Sequence, residues 1–301
     1  MRRAIASLAL AATLVPPATR AAPPDSPWGE QFWPNIELVT QDGKKVRFYD
    51  DLVRDQHVVV SFIFTHCTKQ CGLMTANLAR VQRALGGRVG KDLAFYSITM
   101  DPERDDPAAL KRYAAAFKAG PGWTFLTGNE DDIERLRKRF GDLAPRDDHS
   151  THVYVGNDRI GQWLSTSALD NPQYLAGVVG DWLDPAWATR QRPNDYAQAP
   201  DLPRPTQGEV VFTGKCQACH LPNGQSVGPD LAGVTRRRDR KWIERWIRDP
   251  GKLVAEGDPT ALALLAKHHD VLMPPVELSE GELAELLSYL ESSAAVASRR
   301  P

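Results

Sequence analysis

Five residues, Cys216-Gln217-Ala218-Cys219-His220, constrain this chain more than any other part of it. They fit C-x-x-C-H, the signature of covalent haem attachment. Thiols at this spacing form thioethers with the two vinyl groups of haem, and the adjacent imidazole then lies under the iron. The bland alternative is a disulfide with a histidine behind it by chance. The surrounding text weighs against that. A haem iron of this kind takes a second axial ligand, often methionine. Met273 is the only methionine in the second half of the chain, and Pro274 and Pro275 stiffen its loop. His268 and His269, just upstream, are its rivals. Gly228-Pro229-Asp230-Leu231 can turn over the haem edge, and Phe212 lies just ahead of the first cysteine.

The four cysteines form two close pairs, Cys67/Cys71 and Cys216/Cys219, so none is left over. The net charge of -1 points to no nucleic acid and no acidic substrate. A 42% hydrophobic fraction supports real cores. Met1-Arg2-Arg3, a short apolar run from Ala4 to Val15 and small residues near Ala21 read as an export signal over 1–21. That run falls short of the roughly 20 residues a bilayer span needs, although an uncleaved N-terminal membrane tether is the alternative. The expectation is a periplasmic or otherwise exported protein, soluble or tethered at its N-terminus.

Two patterned units follow. In the first, 35–187, the apolar run 57–64 reads as a strand buried on both faces. A helix is expected over 72–85, a second buried strand over 93–100, and helices over 107–117 and 133–140. Two strands around Asn157-Asp158 should occupy 151–163, with a last helix over 172–183. This alternation predicts an α/β unit with a largely covered sheet. Residues 188–205 are rich in proline and polar residues and read as a semi-stiff linker. The second unit, 206–293, shows only helical signals: one before Cys216, one over 241–249 and one over 279–292, opened by a Ser279/Glu282 capping box. Trp242 and Trp246, four apart, read as core packing.

With GEVVFTGKCQACH (208–220), GPDLAGV (228–234), LMPP (272–275) and the last helix in view, the second unit resembles class I cytochrome c. The resemblance implies a small all-α fold around one haem c, with His220 and Met273 as axial ligands.

The thiol pair Cys67/Cys71 follows the first buried strand directly and precedes a helix. Thiols at a helix N-terminus feel its dipole, which favours the thiolate. Two thiolates suit a soft cation such as Cu(I), and a third donor would complete a trigonal site. His149 and His152 stand at the entrance to a later strand, which in a thioredoxin-like sheet returns to the thiol turn. His66 is expected to pack or face solvent, and Asp101 to cap a turn.

The stretches FIFTHCTKQC (62–71), ITMDPERDDPAALKRYAAAF (98–117), WTFLTG (123–128) and DDHSTHVYV (147–155), in that order, resemble the Sco/SenC family of copper-binding proteins with a thioredoxin-like fold. The resemblance implies one copper held by Cys67, Cys71 and His149, preferred over His152 because it aligns with the family's Asp-His-Ser text. It offers Asp101 as a supporting residue. The family commonly has proline after each cysteine, and this chain has Thr68 and Gly72 there instead.

The expected whole is thus an α/β thioredoxin-like domain followed by a cytochrome c domain. It would handle copper for the copper-site subunit of a respiratory cytochrome c oxidase or another cuproprotein, with a redox partner for the haem. The alternative is a copper-independent thiol–disulfide oxidoreductase cycling Cys67 and Cys71 with the haem as electron partner. A peroxidase on the same scaffold finds little support, because no Arg/Thr cluster clearly precedes Cys67.

Overall fold

The computed structural model describes residues 27–67, 70–145, 150–181, 205–220, 227–268 and 270–297. The export signal, nearly all of the linker, His149 and His269 lie outside the described residues.

The sheet grows from β3 (His57–Ile63), every residue of which is buried. Side chains alternate across a strand. Val59 and Ile63 therefore enter one core, and Val58, Val60 and Phe62 enter the other. That double burial is why the run reads as continuously apolar. β3 pairs in parallel with β4 (Ala94–Thr99), which pairs in parallel with β5 (Trp123–Gly128). On its other edge β3 pairs antiparallel with β6 (His152–Asn157), and β6 with β7 (Gln162–Ser167). Two short strands, β1 (Glu37–Thr40) and β2 (Lys45–Arg47), complete the order β2-β1-β5-β4-β3-β6-β7.

Helices cover both faces. α1 (Cys71–Leu85), α2 (Pro107–Ala116) and α4 (Pro172–Asp181) bring Met74, Leu78, Leu110, Tyr113 and Leu175 to the first core. α3 (Glu130–Arg139) brings Ile133 and Leu136 to the second, where Trp33, Phe48 and Phe140 also pack. Side-chain caps set the starts of two of these helices. The Asp106 carboxylate accepts from the Ala109 amide at 2.6 Å with Pro107 in the first turn, and the Asn129 side-chain oxygen Oδ1 accepts from the Asp132 amide at 3.2 Å. The unit is a thioredoxin-like α/β fold with a mixed sheet.

The second unit is helical, as expected. α5 (Gln207–Val211) runs into a wider turn, Phe212–Cys216. α6 (Val234–Arg237), α7 (Arg240–Arg248), α8 (Pro250–Ala255), α9 (Pro259–Lys267) and α10 (Glu280–Ala297) follow. Val211, Ile243, Ile247, Leu283, Leu286, Leu287 and Leu290 form its core. α5 meets α10 at Gly208, where a Cβ would stand 2.1 Å from the Glu285 carbonyl oxygen, so only glycine allows this approach. At the start of α10 the capping box forms: the Glu282 amide donates to Ser279 Oγ at 3.2 Å and the Ser279 amide to Glu282 Oε2 at 2.8 Å.

Candidate thiol and haem centres

β3 delivers the chain to Cys67 through Phe64-Thr65-His66, and Cys71 is the first residue of α1. The turn is tight. The Cys67 amide donates to the Phe64 carbonyl at 3.3 Å, and the Cys71 amide donates to Cys67 Sγ at 3.4 Å. A backbone amide of the helix N-terminus is thus aimed at the first sulfur. Cys67 is half-buried and Cys71 fully buried, and the two are not joined as a disulfide. Burial pushes the Cys71 thiol far above the usual thiol range, and its contact with Cys67 adds to the shift. The expectation that the helix dipole favours thiolate is therefore overturned at Cys71. Desolvation of a fully buried sulfur outweighs a dipole effect that amounts to only about 0.3–1 kcal/mol at exposed helix ends.

His66 does more than face solvent. Its Nε2 stands 3.4 Å from Asp101 Oδ2 and its Nδ1 3.6 Å from Asp105 Oδ1. Asp105 is fully buried and accepts from the Thr65 amide at 2.9 Å, from Thr65 Oγ1 at 2.5 Å and from Thr99 Oγ1 at 2.5 Å. Asp101, also buried, pairs with Arg104 at 2.5 Å. The two carboxylates tie the end of β4 to the loop that carries Cys67. Sequence reasoning missed Asp105 as a partner, although DPERD contains both residues.

The third donor expected for the thiols, His149, lies outside the described residues. The register shows where its segment leads. Val153 of β6 lies opposite Ser61 of β3 in an antiparallel pair, so β6 starts at the end where β3 releases the thiol loop. His152, the first residue of β6, is exposed, and its ring nitrogen Nδ1 bonds Ser150 Oγ. Among the described residues no group of three or more His, Cys, Asp or Glu side chains is arranged to hold a metal ion. Gly72, where the family has proline, carries no steric demand of its own: a Cβ there would meet Phe117 at an ordinary 3.6 Å.

In the helical unit, His220 Nδ1 stands 2.9 Å from the Pro229 carbonyl oxygen. A carbonyl only accepts, so the proton is on Nδ1 and Nε2 is left as the donor, the arrangement expected of a metal-bound imidazole. Gly228 backs the ring, where a Cβ would fall 2.6 Å from His220 Cε1. Met273 and Cys216 both pack against the helical core with Phe212. Burial pushes the thiols up, Cys216 to about 11 and Cys219 to about 12. Two half-buried thiols, a preset imidazole and an apolar lining with a thioether fit a haem attached at this turn. The rival nitrogen donor also persists: His268 Nδ1 is 2.8 Å from the Val227 carbonyl oxygen, and its buried Nε2 has no hydrogen-bond partner among the described residues. Trp242 and Trp246 stack at 5.3 Å, and Trp242 Nε1 donates to Asp258 at 3.2 Å.

Comparison with known proteins divides the chain in the same way. Residues 25–166 match the family model SCO1/SenC, and residues 205–294 match the model Cytochrome c. The chain is 35% identical over 98 residues to the SCO1 protein homolog of Bacillus subtilis, a match covering 32% of this chain and 49% of that protein. It is 26% identical over 156 residues to Protein SenC of Rhodobacter capsulatus, covering 49% of this chain and 68% of the other. Among solved structures, Bradyrhizobium japonicum ScoI with copper bound is 25% identical, at a TM-score of 0.42, covering 49% of this chain and 97% of that one.

Proposed function

We propose that this chain, which joins an SCO1/SenC domain to a cytochrome c domain, is an exported copper-handling protein that carries its own electron-transfer haem. The observation that carries this reading is the thiol turn. Cys67 and Cys71 stand together at the end of a buried strand, one sulfur facing a helix-terminal amide and the other sealed from water. Burial disfavours the bare thiolate at Cys71, and a soft cation such as Cu(I) that takes the place of the proton offsets that cost. His149, three positions ahead of β6 in the sequence, is the proposed third donor.

The helical unit is proposed to hold one haem c through Cys216 and Cys219, with His220 and Met273 on the iron. When bound, the haem supplies one-electron transfer at this site. The chain's own groups hold and orient it: Pro229 fixes the His220 tautomer, and Phe212 and the helical core exclude water. We place the domains at 35–187 and 206–293, joined by the linker 188–205, behind an export signal over 1–21. The destination of the copper is proposed to be the copper-site subunit of a cytochrome c oxidase, in line with the SCO1/SenC family's link to oxidase assembly, or another cuproprotein.

Copper binding to the full chain tests the reading. One Cu(I) per chain is expected in the wild type, with loss of binding in Cys67→Ser and in Cys71→Ser. No Cu(I) binding by the wild type overturns it.

A second reading has one observation of its own. Two adjacent thiols, one sealed and one half-exposed, also describe a dithiol that closes to a disulfide. Disulfide formation releases two electrons and a haem accepts one, so that cycle needs two haem turnovers, whereas copper and haem match one for one. Reduction of a disulfide substrate that survives His149→Ala would favour the copper-independent reading.

A further inference from the structure

Val227, Gly228 and Pro229 follow one another in the chain, and each makes a backbone hydrogen bond to a different part of the helical unit. The Gly228 amide donates to the Cys219 carbonyl at 2.7 Å, on the attachment turn. The Pro229 carbonyl accepts from His220 Nδ1 at 2.9 Å. The Val227 carbonyl accepts from His268 Nδ1 at 2.8 Å. The first two bonds are local. The third spans 41 positions and ends on the residue that closes α9, just ahead of the Met273 stretch.

His268 therefore ties the loop that fixes His220 to the stretch that carries Met273. Its own backbone is held on both sides: its amide donates to the Leu264 carbonyl at 3.0 Å, and its carbonyl accepts from the Val271 amide at 3.1 Å. Asp270, within that turn, has a φ of 60°. A residue other than glycine keeps this left-handed conformation only where its surroundings impose it. The clasp is also shielded from water. His268 Nε2 is buried, and Val227 and Val271 pack, with Cys219, against the core that α1 shares with the sheet of the α/β domain. Water competes poorly for a hydrogen bond in such a place, so deleting its donor costs more than at an open surface. Residues that hold a metal's ligands in this way set how firmly those ligands stay bound.

We propose that His268 is a positioning residue for the haem: its imidazole clasps the Met273 stretch to the Val227–Pro229 loop, so that the holds on His220 and Met273 act as one unit. This gives His268 a place in the frame around the iron instead of the ligand role for which it rivals Met273. It rests on haem attachment at Cys216 and Cys219, with His220 and Met273 on the iron, as proposed above.

The test is binding of added imidazole to the ferric full-length holoprotein, followed by loss of the methionine-to-iron charge-transfer band. Imidazole takes the sixth position only when Met273 has left it, so its apparent affinity reports how firmly the Met273 stretch is held. His268→Leu, which fills the space without a donor, is expected to bind imidazole about three- to tenfold more tightly. His268→Asn, whose amide can place an N–H where Nδ1 stands, should restore most of the wild-type resistance. Wild-type imidazole affinity in His268→Leu, with the charge-transfer band intact, overturns the proposal. If His268→Leu attaches no haem, nitrogen NMR of the histidines in the ferrous wild type decides. A proton on Nδ1 of His268 in slow exchange is expected, and a proton on Nε2 overturns the proposal. A wild-type chain that attaches no haem, or whose haem lacks the charge-transfer band, refutes the haem reading itself, and the absorbance shows this before any titration.

Discussion

His57 opens β3 with 2% of its surface exposed, and burial, followed by the charges of Arg88 and Arg159, lowers its pKa to about 4. In an unfolded chain it would titrate near 6.5. Between those values the unfolded chain binds a proton that the folded chain refuses, so stability is full above pH 6.5 and falls as the pH drops toward 4. The loss should approach about 3 kcal/mol at the bottom of that window. Denaturant unfolding at pH 7 and pH 4.5 should show it, and His57→Leu should flatten the difference. An equal pH dependence in that variant would assign the loss elsewhere. At the thiol turn the neighbouring charges matter in another way. Asp105→Ala removes the acceptor of three hydrogen bonds from Thr65 and Thr99. It should cost about 3 kcal/mol of stability and weaken Cu(I) binding by loosening the loop, with Asp105→Asn intermediate. Copper titration of the folded variants checks the second effect; undiminished affinity in both would sever this cluster from the site. Neither His57 nor Asp105 announces its role in the text, because burial and cross-loop contacts are tertiary facts. The C-x-x-C-H spacing of Cys216, Cys219 and His220 is legible by contrast, because the whole motif lies within five consecutive residues.

The elements differ in how plainly the sequence shows them. β3, β4, α1 and α2 are legible because buried strands leave unbroken apolar runs and because Asp106-Pro107 marks a helix start. β1 and β2 are not, since strands of four and three residues carry only a few inward positions each. α8 and α9 escape a reading by periodicity because they are short, yet each starts at an Asp-Pro pair whose aspartate caps it: Asp249 accepts from the Lys252 amide at 2.9 Å and Asp258 from the Ala261 amide at 2.8 Å. At this scale the sharpest test is the α5–α10 crossing. Gly208→Ala must move backbone, because the added carbon would lie 2.1 Å from the Glu285 carbonyl oxygen. A loss of about 2–4 kcal/mol from the helical unit is expected. Thermal melting followed by haem absorbance should show it, while copper binding at the thiols stays unchanged.

Across the whole molecule, the joining of a thiol centre to a haem centre sets an electron count. Loading the full chain with one Cu(I) while the haem is ferric should yield ferrous haem, one electron per copper, with Cu(II) left at the thiols. Absorbance during anaerobic copper addition measures the stoichiometry. No haem reduction at any ratio would mean that the two centres do not exchange electrons in this chain. The order of the two domains was legible, because each carries a compact motif and a proline-rich stretch divides them. Their contact was not, because nothing local to Val227 or Val271 distinguishes a residue facing another domain from one facing water. Among the described residues no helix is long and apolar enough to cross a membrane.

The pairing of β3 with β6 carries a consequence for the order of events as the chain is made. His57 lies opposite Asn157, so this ladder joins segments a hundred positions apart, whereas the two thiols are only four positions apart, with Cys71 opening α1. Long-range pairings close late, since the loop entropy must be overcome first. On the proposed reading, a newly made chain would present two sulfurs before β6 has paired, and capture of a soft cation in that interval would be two-coordinate. Full retention would then begin only when the sheet closes, and the grip on the ion would report that folding is complete.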